Sequence, residues 1–323
     1  DCISQDYPFV ECITSMLGFC DEVVVVDGGS TDGTWEKLKS LSVEEKRLVI
    51  HQQPRDWSHK RFAVFDGAQK ALARSLCTGD MCWQMDSDEI VHENDYKRIT
   101  ELARFMPRGI QMLSLPIVEY WGSHDKVRVD VNVSKWRLSW NIPTITHGIP
   151  AGMRRFDEDG QLYSAPGCDG CFPIRCDSYE MVPDATFMTQ DVEQLRRRAI
   201  GDPAALVEFQ SWFDGIVDNI PTVHHYSWFS LPRKIRTYRS YWSKHWESLH
   251  DVKQEDTAEN NMFFDKSWSE VTDDEIDALA DELARTKGGW VFHRKLDRNE
   301  MTLAMKCKVL PPAVMADWVR RNS

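Results

Sequence analysis

The fold is decided by the stretch VVVVDGGSTDGT, residues 23–34. Four consecutive valines predict a strand that is buried on both faces, as in a parallel sheet. The strand stops at Asp27, where Gly28 and Gly29 signal a turn, and a polar residue among 30–32 then caps a helix predicted over 34–41. Ligands of open α/β sheets bind beyond the carboxyl ends of strands. Asp27 is therefore predicted to accept a hydrogen bond from a bound ribose or base.

A second predicted strand, 81–85, runs directly into the acidic stretch Asp86-Ser87-Asp88-Glu89. Carboxylate oxygens are the ligands that a hard divalent cation prefers. A diphosphate needs such a cation between itself and a carboxylate, because bare anions repel each other. Taken alone, Asp-x-Asp also fits a solvated turn or a helix N-cap. Its occurrence together with the stretch at 23–34 favours a ligand site.

The rest of the chain alternates between strand and helix patterns up to about residue 120. Apolar spacing predicts helices over 9–18, 34–41, 59–75 and 95–105, and strands over 22–26, 47–51, 81–85 and 110–120, the last broken by Pro116. This alternation predicts an α/β fold with a doubly wound, mostly parallel sheet flanked by helices. The segment 121–183 is predicted to be β or irregular and to shape an acceptor pocket. Further helices are predicted over 203–212, 232–250 and 270–287.

Length and composition set limits on the function. The chain has 323 residues, is 42% hydrophobic and 28% charged, and carries a formal net charge of -12. Its acidic character argues against nucleic acid as a partner and against broad docking to anionic lipid. No apolar run approaches the roughly 18 residues that a membrane span needs, and no secretory signal opens the chain. A cytoplasmic protein is expected, either soluble or in peripheral contact with a membrane.

The quoted stretches resemble the family 2 glycosyltransferases, which have the GT-A fold. The similarity lies in VVVVDGGSTDGT at 23–34, TGDMCWQMDSDE at 78–89 and, more loosely, VHHYSWFSLPRK at 223–234, and it covers residues 1–125 best. It implies transfer of a sugar from a nucleoside-diphosphate sugar, UDP- or GDP-linked, to a hydroxyl of a carbohydrate or glycoconjugate acceptor. It also implies inversion at the sugar and a Mn²⁺ or Mg²⁺ ion.

The resemblance assigns roles to individual residues. Asp27 corresponds to the residue that touches the nucleoside, Asp86 to an acid beside the ribose and the metal, and Asp88 to a metal ligand. Arg61 corresponds to a donor-side contact, although Phe62 stands where members often have Asn. One departure concerns the base: many members carry a second acid where this chain has Gly28, so the identity of the nucleotide stays open.

A late histidine is predicted to complete the metal site. The family's His-Tyr pattern matches His225 and Tyr226 best, which favours His225 over His224, and a neutral imidazole suits Mn²⁺. Adjacent residues of a strand point to opposite faces, so only one of the two histidines is expected to bind. Arg233 and Lys234 follow closely and are candidates for phosphate contacts.

The catalytic base is predicted among the acids between the acidic stretch and His224. Asp169 is favoured, because it lies in a tight loop of low polarity where desolvation raises the pKa of a carboxyl toward a useful value. Glu180 and Asp184 stay as alternatives. The predicted domains are a glycosyltransferase domain over 1–230, with a nucleotide-sugar half at 1–125 and an acceptor half at 126–230, and a helical extension over 231–323.

Two other functions also fit parts of this pattern. A nucleotidyltransferase uses a similar sheet and a metal-binding acid, but it would show a Gly-rich, basic loop after its first strand, and residues 4–8 contain none. A non-catalytic carbohydrate-binding or scaffold protein is the second alternative. The acids Asp27, Asp86 and Asp88 argue against it.

Overall fold

A computed structural model describes residues 1–55, 62–106, 110–131, 133–142, 145, 154–156, 162–164, 184–185, 190–241, 255–261, 263–285 and 304–323. The α/β class and the helical C-terminal part predicted from the sequence are confirmed. The helices are α1 (Phe9–Leu17), α2 (Thr34–Glu44), α3 (Phe62–Leu76), α4 (Tyr96–Phe105), α5 (Gln190–Ala199), α6 (Pro203–Asn219), α7 (Leu231–Ser240), α8 (Asp273–Arg285) and α9 (Ala316–Asn322).

The strands form a parallel pair, a larger mixed sheet and two further two-stranded sheets. They are β1 (Val23–Asp27), β2 (Leu48–Gln52), β3 (Met81–Trp83), β4 (Glu89–Val91), β5 (Met112–Glu119), β6 (Lys126–Arg128), β7 (Ser134–Trp140), β8 (Arg154–Phe156), β9 (Leu162–Ser164), β10 (Asp184–Ala185), β11 (Val223–His225) and β12 (Ala304–Lys306). β1 pairs with β2 in parallel, so that Asp27 lies opposite Gln52.

The mixed sheet has the order β3-β7-β5-β11-β4. β11 is parallel to β5 and antiparallel to β4. Its position between them places His225 opposite Glu119 on one side and opposite Glu89 on the other. This register brings together residues that are far apart in the chain.

Pro116 does not break β5, contrary to the expectation from the sequence. The strand runs through it and is buried along its whole length. Pro116 is the last residue of β5 that pairs with β7, and pairing with β11 starts at Ile117. Its missing N–H therefore falls where one ladder replaces the other, a position that a proline can occupy.

Helices α7 and α8 of the C-terminal part pack around Trp121, which follows β5. Trp121, Trp228, Ile235 and Leu283 belong to one buried cluster there. The start of α8 carries a capping box, in which Thr272 and Glu275 bond to each other's backbone N–H. Within the described residues, no helix has the length and apolar character that crossing a bilayer requires.

Candidate functional site

A cavity of about 1200 Å³ lies between the end of β1 and the acidic turn that follows β3. Asp27, Asp86, Asp88 and His225 all line it. These are the acids and the histidine that the sequence singled out, and they come from three separate elements. The cavity is thus lined both by the acidic turn and by a Gly-rich loop.

Asp27 is held by the loop that follows its own strand. Its Oδ2 accepts hydrogen bonds from the backbone N–H of Gly29 at 3.0 Å, the N–H of Ser30 at 2.9 Å and the amide of Gln52 at 3.0 Å. The positive φ of Gly29, 88°, is what lets the loop turn back toward the carboxylate. Burial raises the pKa of Asp27, but the hydrogen bonds outweigh burial and leave that pKa below its ordinary value. Asp27 is thus a fixed anion at the strand end.

Asp86 is surrounded by cations. Its Oδ1 lies 3.2 Å from Lys70 Nζ, and its Oδ2 lies 3.6 Å from Arg137 and 4.0 Å from Lys135. Burial raises the pKa of Asp86, but the three positive charges bring it far below the usual range. Lys70 also lines the cavity. The positive charge of Lys70 therefore lies in the cavity beside the acidic turn. The sequence did not indicate this charge.

Glu89 anchors this turn from behind and is completely buried. Its Oε1 accepts from Lys135 at 3.0 Å and from Arg137, and its Oε2 accepts from the backbone N–H of Asp86 at 3.0 Å. Burial raises the pKa of Glu89, but Arg137 and Lys135 outweigh it and lower that pKa. The turn is consequently tied to β7 through two ion pairs.

Asp88, His225 and Glu119 form a chain of polar contacts. His225 Nε2 lies 3.2 Å from Asp88 Oδ1, and its Nδ1 donates to Glu119 Oε2. Burial lowers the pKa of His225, but Glu119 and Asp88 more than compensate and raise it to about 9. The pKa of Asp88 is lowered correspondingly, against burial and chiefly by His225. Glu119 thereby fixes which ring nitrogen faces the cavity.

His224 points the other way. It is fully buried, and its Nδ1 lies 2.7 Å from the hydroxyl of Tyr120. Burial lowers its pKa to about 3, so the ring is neutral. Of the two adjacent histidines, His225 is the one that lines the cavity, as expected for neighbours on a strand.

Arg233 and Lys234 lie behind the cavity wall. Arg233 donates to the carbonyls of Tyr226 and Ser227, at 3.2 Å and 2.9 Å, and its guanidinium lies over the ring of Tyr7. Lys234 Nζ donates to Ser227 Oγ at 2.6 Å, and burial lowers the pKa of Lys234 to about 8. Both side chains shape the turn that carries His225.

The donor set near Asp88 suits a divalent cation in part. A carboxylate and an imidazole are donors that Mn²⁺ accepts, and Mg²⁺ usually takes one or two carboxylates and completes its shell with substrate phosphates. Among the residues that the structure describes, no group of three or more His, Cys, Asp or Glu side chains is arranged to hold a metal ion. Asp88 and His225 therefore fit two positions of such an ion, and phosphate oxygens would have to supply others.

Several predicted site residues lie outside the described part of the chain: Arg61, Asp169 and Glu180. Asp184 lies in β10, where its backbone pairs with Met112 of β5. The catalytic base and the donor-side role of Arg61 stay predictions.

Sequence reasoning missed Lys70, Lys135, Arg137 and Glu119. A signal existed for two of them: Lys135 and Arg137 alternate with Trp136 along β7, so both project from one face of a strand. Two cations on one face of a strand in a buried sheet call for acidic partners. Glu119 gave no local signal, because its partner His225 is brought to it by strand pairing alone.

The family model of glycosyl transferase family 2 matches residues 9–118. No curated protein matches the chain. Among solved structures, S. aureus TarS is similar at 13% identity and a TM-score of 0.33, over 75% of this chain and 45% of TarS. Residues 1–349 of S. aureus TarS are similar at 14% identity and a TM-score of 0.34, over 87% of this chain and 88% of that one. This chain thus spans less than half of the first of these two TarS chains.

Proposed function

We propose, for a chain whose residues 9–118 belong to the family 2 glycosyltransferases, that it transfers a sugar from a nucleoside-diphosphate sugar to an acceptor hydroxyl. The observation that carries the proposal is the single cavity lined by Asp27, Asp86, Asp88 and His225. A nucleotide sugar has a neutral hydroxyl-rich end and a doubly charged diphosphate. The cavity has one wall suited to each.

The wall formed by β1 suits the nucleoside. Asp27 accepts its hydrogen bonds from neutral donors, so it keeps its negative charge and attracts hydroxyl and N–H groups. The glycines beside it allow a ligand to approach the backbone closely. The nucleoside is therefore placed at Asp27, with the diphosphate directed toward the acidic turn.

The opposite wall suits the diphosphate in spite of its acids. Lys70 reaches the cavity and offers a cation, while Lys135 and Arg137 offset the charges of Asp86 and Glu89 from behind. We propose that Asp88 and His225 hold a Mn²⁺ or Mg²⁺ ion, with Asp86 beside it. Such an ion, when bound, neutralises the developing charge of the leaving diphosphate.

The chemistry of the transfer follows from these placements. A carboxylate takes the proton of the acceptor hydroxyl as its oxygen attacks the anomeric carbon. The bond from that carbon to the phosphate oxygen breaks, and the nucleoside diphosphate leaves with the electron pair, next to Lys70. Attack from the face opposite the leaving group inverts the sugar. Asp169 is our candidate for the base, with Glu180 and Asp184 as alternatives.

Nucleotide binding provides the direct test. Thermal denaturation with UDP, GDP and their sugars, each with Mn²⁺ and with a chelator, is expected to give a Mn²⁺-dependent rise in melting temperature for at least one nucleotide. Release of the nucleoside diphosphate from the matching sugar donor then tests turnover. The variant Asp317→Asn, at an exposed ion pair that does not line the cavity, serves as the control and should behave like the wild type. A protein that responds to no nucleotide under either condition contradicts the proposal.

A further inference from the structure

Two thiols come together where α3 ends and β3 begins. Cys77 directly follows α3, Cys82 lies within β3, and both line the cavity as free cysteines. Cys82 is buried, whereas Cys77 is half-buried, with its sulfur 3.3 Å from the carbonyl oxygen of Ala73. Neither cysteine takes part in the proposed sugar transfer.

A buried arginine lies on the same side of α3 as Cys77. Arg74 precedes Cys77 by three residues, and residues with this spacing are neighbours on a helix surface. The guanidinium of Arg74 donates to Ser139 Oγ at 3.0 Å. Ser139 of β7 pairs with Cys82 of β3, and directly paired residues project from the same face of a sheet. Arg74, Cys77 and Cys82 therefore share one side of the β3–β7 pair.

The surroundings of Cys82 favour its thiolate. Arg74 gives its hydrogen bonds to neutral oxygens only, so its buried charge is available to a nearby anion. Hydrogen bonding with Cys77 lowers the pKa of Cys82, and Arg74 lowers it further, against burial and the charge of Glu22. Cys20 also lies near, but burial raises its pKa to about 12. Cys82 is thus the thiol of this group that ionises first.

A thiolate beside a second thiol, in a cavity of about 1200 Å³ that small molecules can enter, is the arrangement of a redox-active dithiol. We propose that Cys77 and Cys82 form such a site, in which Cys82 reacts with hydroperoxides and Cys77 resolves the product into a disulfide. The inference goes beyond sugar transfer and does not rest on it.

The oxidation proceeds in two balanced steps. The thiolate of Cys82 attacks one oxygen of the hydroperoxide, the O–O bond breaks, and the leaving alkoxide or hydroxide takes up a proton, so that Cys82 becomes a sulfenic acid. The sulfur of Cys77 then attacks the sulfur of Cys82, the S–O bond breaks, and hydroxide leaves as water with the thiol proton of Cys77. The two sulfurs lose two electrons together, and the hydroperoxide gains them.

The disulfide joins the end of α3 to β3. Lys70 belongs to α3, and β3 leads to Asp86, whose Oδ1 lies 3.2 Å from Lys70 Nζ. Oxidation therefore cross-links the two elements that position this ion pair.

Alkylation rates test which thiol is reactive. The reduced full chain is treated with iodoacetamide between about pH 5.5 and 9.5, and each cysteine is followed by mass spectrometry. Cys82 is expected to react with a midpoint of about 7. At neutral pH it should react on the order of tenfold faster than Cys307, whose pKa burial raises to about 11. Cys77→Ala removes a hydrogen bond to the thiolate, so the midpoint should rise, whereas Cys307→Ala should leave it unchanged.

Oxidation by hydrogen peroxide tests the disulfide. Free thiols are then blocked with iodoacetamide, and trypsin leaves both cysteines on the peptide from Ser75 to Lys97. In the wild type this peptide should carry no alkyl group, be lighter by two hydrogens than its reduced form, and regain both thiols in dithiothreitol. In Cys77→Ser, oxidised Cys82 should instead persist as a sulfenic acid, which dimedone traps. Cys307→Ser is the matched control and should oxidise like the wild type.

Three results would overturn the inference. A Cys82 that alkylates no faster than Cys307 is not a reactive thiol. A wild-type peptide that keeps both alkyl groups, or a Cys82 that pairs with Cys20, shows that Cys77 is not its partner. Equal dimedone labelling of wild type and Cys77→Ser shows that Cys77 does not resolve the sulfenic acid.

Melting temperatures of the reduced proteins show whether each variant folds, and the wild-type peptide map decides the question even where a variant does not. None of these measurements uses a nucleotide. Failure of the proposed function therefore leaves this inference standing, and failure of this inference leaves the proposed function standing.

Discussion

Two acidic strand ends face the same cavity, and the protein stabilises their carboxylates in different ways. Asp27 accepts from neutral donors, namely two backbone N–H groups and the amide of Gln52. Asp86 is stabilised by three cations, Lys70, Lys135 and Arg137. Both carboxyls keep a pKa below the ordinary value despite burial. The same residue type at the same kind of position thus has two electrostatic environments.

The difference determines what each wall can bind. Neutral dipoles hold an anion without cancelling its charge, so Asp27 attracts hydrogen-bond donors. Cations cancel the field of the acidic turn and leave room for a ligand that brings its own negative charge. In the proposed function, the nucleoside therefore lies at Asp27 and the diphosphate at the acidic turn. Substitutions that change the surroundings of one carboxylate at a time test whether the two walls bind different parts of the ligand.

The largest effect is expected for Asp88, the acid of the turn that pairs with His225. Asp88→Asn keeps the shape of the side chain but removes the charge that a divalent ion needs. Sugar transfer should fall by roughly a thousandfold, since a metal supplies several kcal/mol of charge stabilisation. The Mn²⁺-dependent part of UDP or GDP binding should disappear with it.

Nucleotide release from the sugar donor and melting temperatures with and without Mn²⁺ are the measurements. Asp317→Asn, an exposed carboxylate in a surface ion pair, should leave both unchanged. Retained Mn²⁺ dependence in Asp88→Asn would remove Asp88 from the metal site and with it the contrast between the walls.

The next effect concerns the anchor of the turn. Glu89 is completely buried and pairs with Lys135 and Arg137. Glu89→Gln leaves the buried Arg137 and the partly buried Lys135 with one partner fewer, which should lower the free energy of unfolding by about 3–5 kcal/mol. Urea denaturation gives the value.

The control for this variant is Glu36→Gln, an exposed glutamate paired with Lys39. It should cost about 0.5 kcal/mol or less. A small effect of Glu89→Gln as well would mean that the cations find other partners, and that the acidic turn is held by its backbone.

The local elements of the first half could be predicted from the sequence for a clear reason. The valine run, the Gly-rich turn and the apolar spacing of α1 are local patterns, and each matches its observed element to within a few residues. The sequence also predicted that Asp27, Asp86 and Asp88 lie close together, from the rule that ligands bind beyond strand ends. All three line one cavity, although β1 and β3 belong to separate sheets. Structure that depends on interactions between residues close in the sequence can thus be predicted from the sequence.

The positions of the cations around Asp86 and of Glu119 could not be predicted in this way. Lys70 comes from α3, Lys135 and Arg137 from β7, and Glu119 from β5, and only the pairing of distant strands brings them to the acidic turn. Pro116 is a second case in which distant strand pairing decides the structure. Its local preference argues against a strand, but the pairing partners on each side of it accommodate the missing N–H.

The protonation of His225 gives a pH-dependent effect on the metal-side wall. Glu119 and Asp88 raise the pKa of His225 to about 9, above the value of about 6.5 that an unfolded chain has. The charged ring therefore stabilises the fold fully below pH ~6.5, and this contribution, roughly 3 kcal/mol, is lost as the pH rises through about 9. Urea denaturation between pH 6 and 9.5 follows the loss.

The variant His225→Gln isolates the contribution of the charged His225 ring to the free energy of unfolding. Lys234 has a pKa lowered by burial to about 8 and titrates in the opposite sense, but its contribution is present in both proteins and cancels in their difference. The difference between wild type and variant should shrink toward alkaline pH. A constant difference would mean that His225 is already neutral between its two carboxylates.

The smallest effect is expected at the neutral wall. In Asp27→Asn the amide oxygen can still accept from Gly29 and Ser30, so the loop after β1 is expected to keep its shape. Only the charge is lost, and with it a charge-assisted hydrogen bond to the nucleoside, which corresponds to about a tenfold loss in affinity for UDP or GDP. The loss should be the same in Mn²⁺ and in chelator, as measured by calorimetry, because Asp27 has no part in holding the diphosphate. A loss confined to the Mn²⁺ condition would place Asp27 on the metal side and erase the distinction between the two carboxylates.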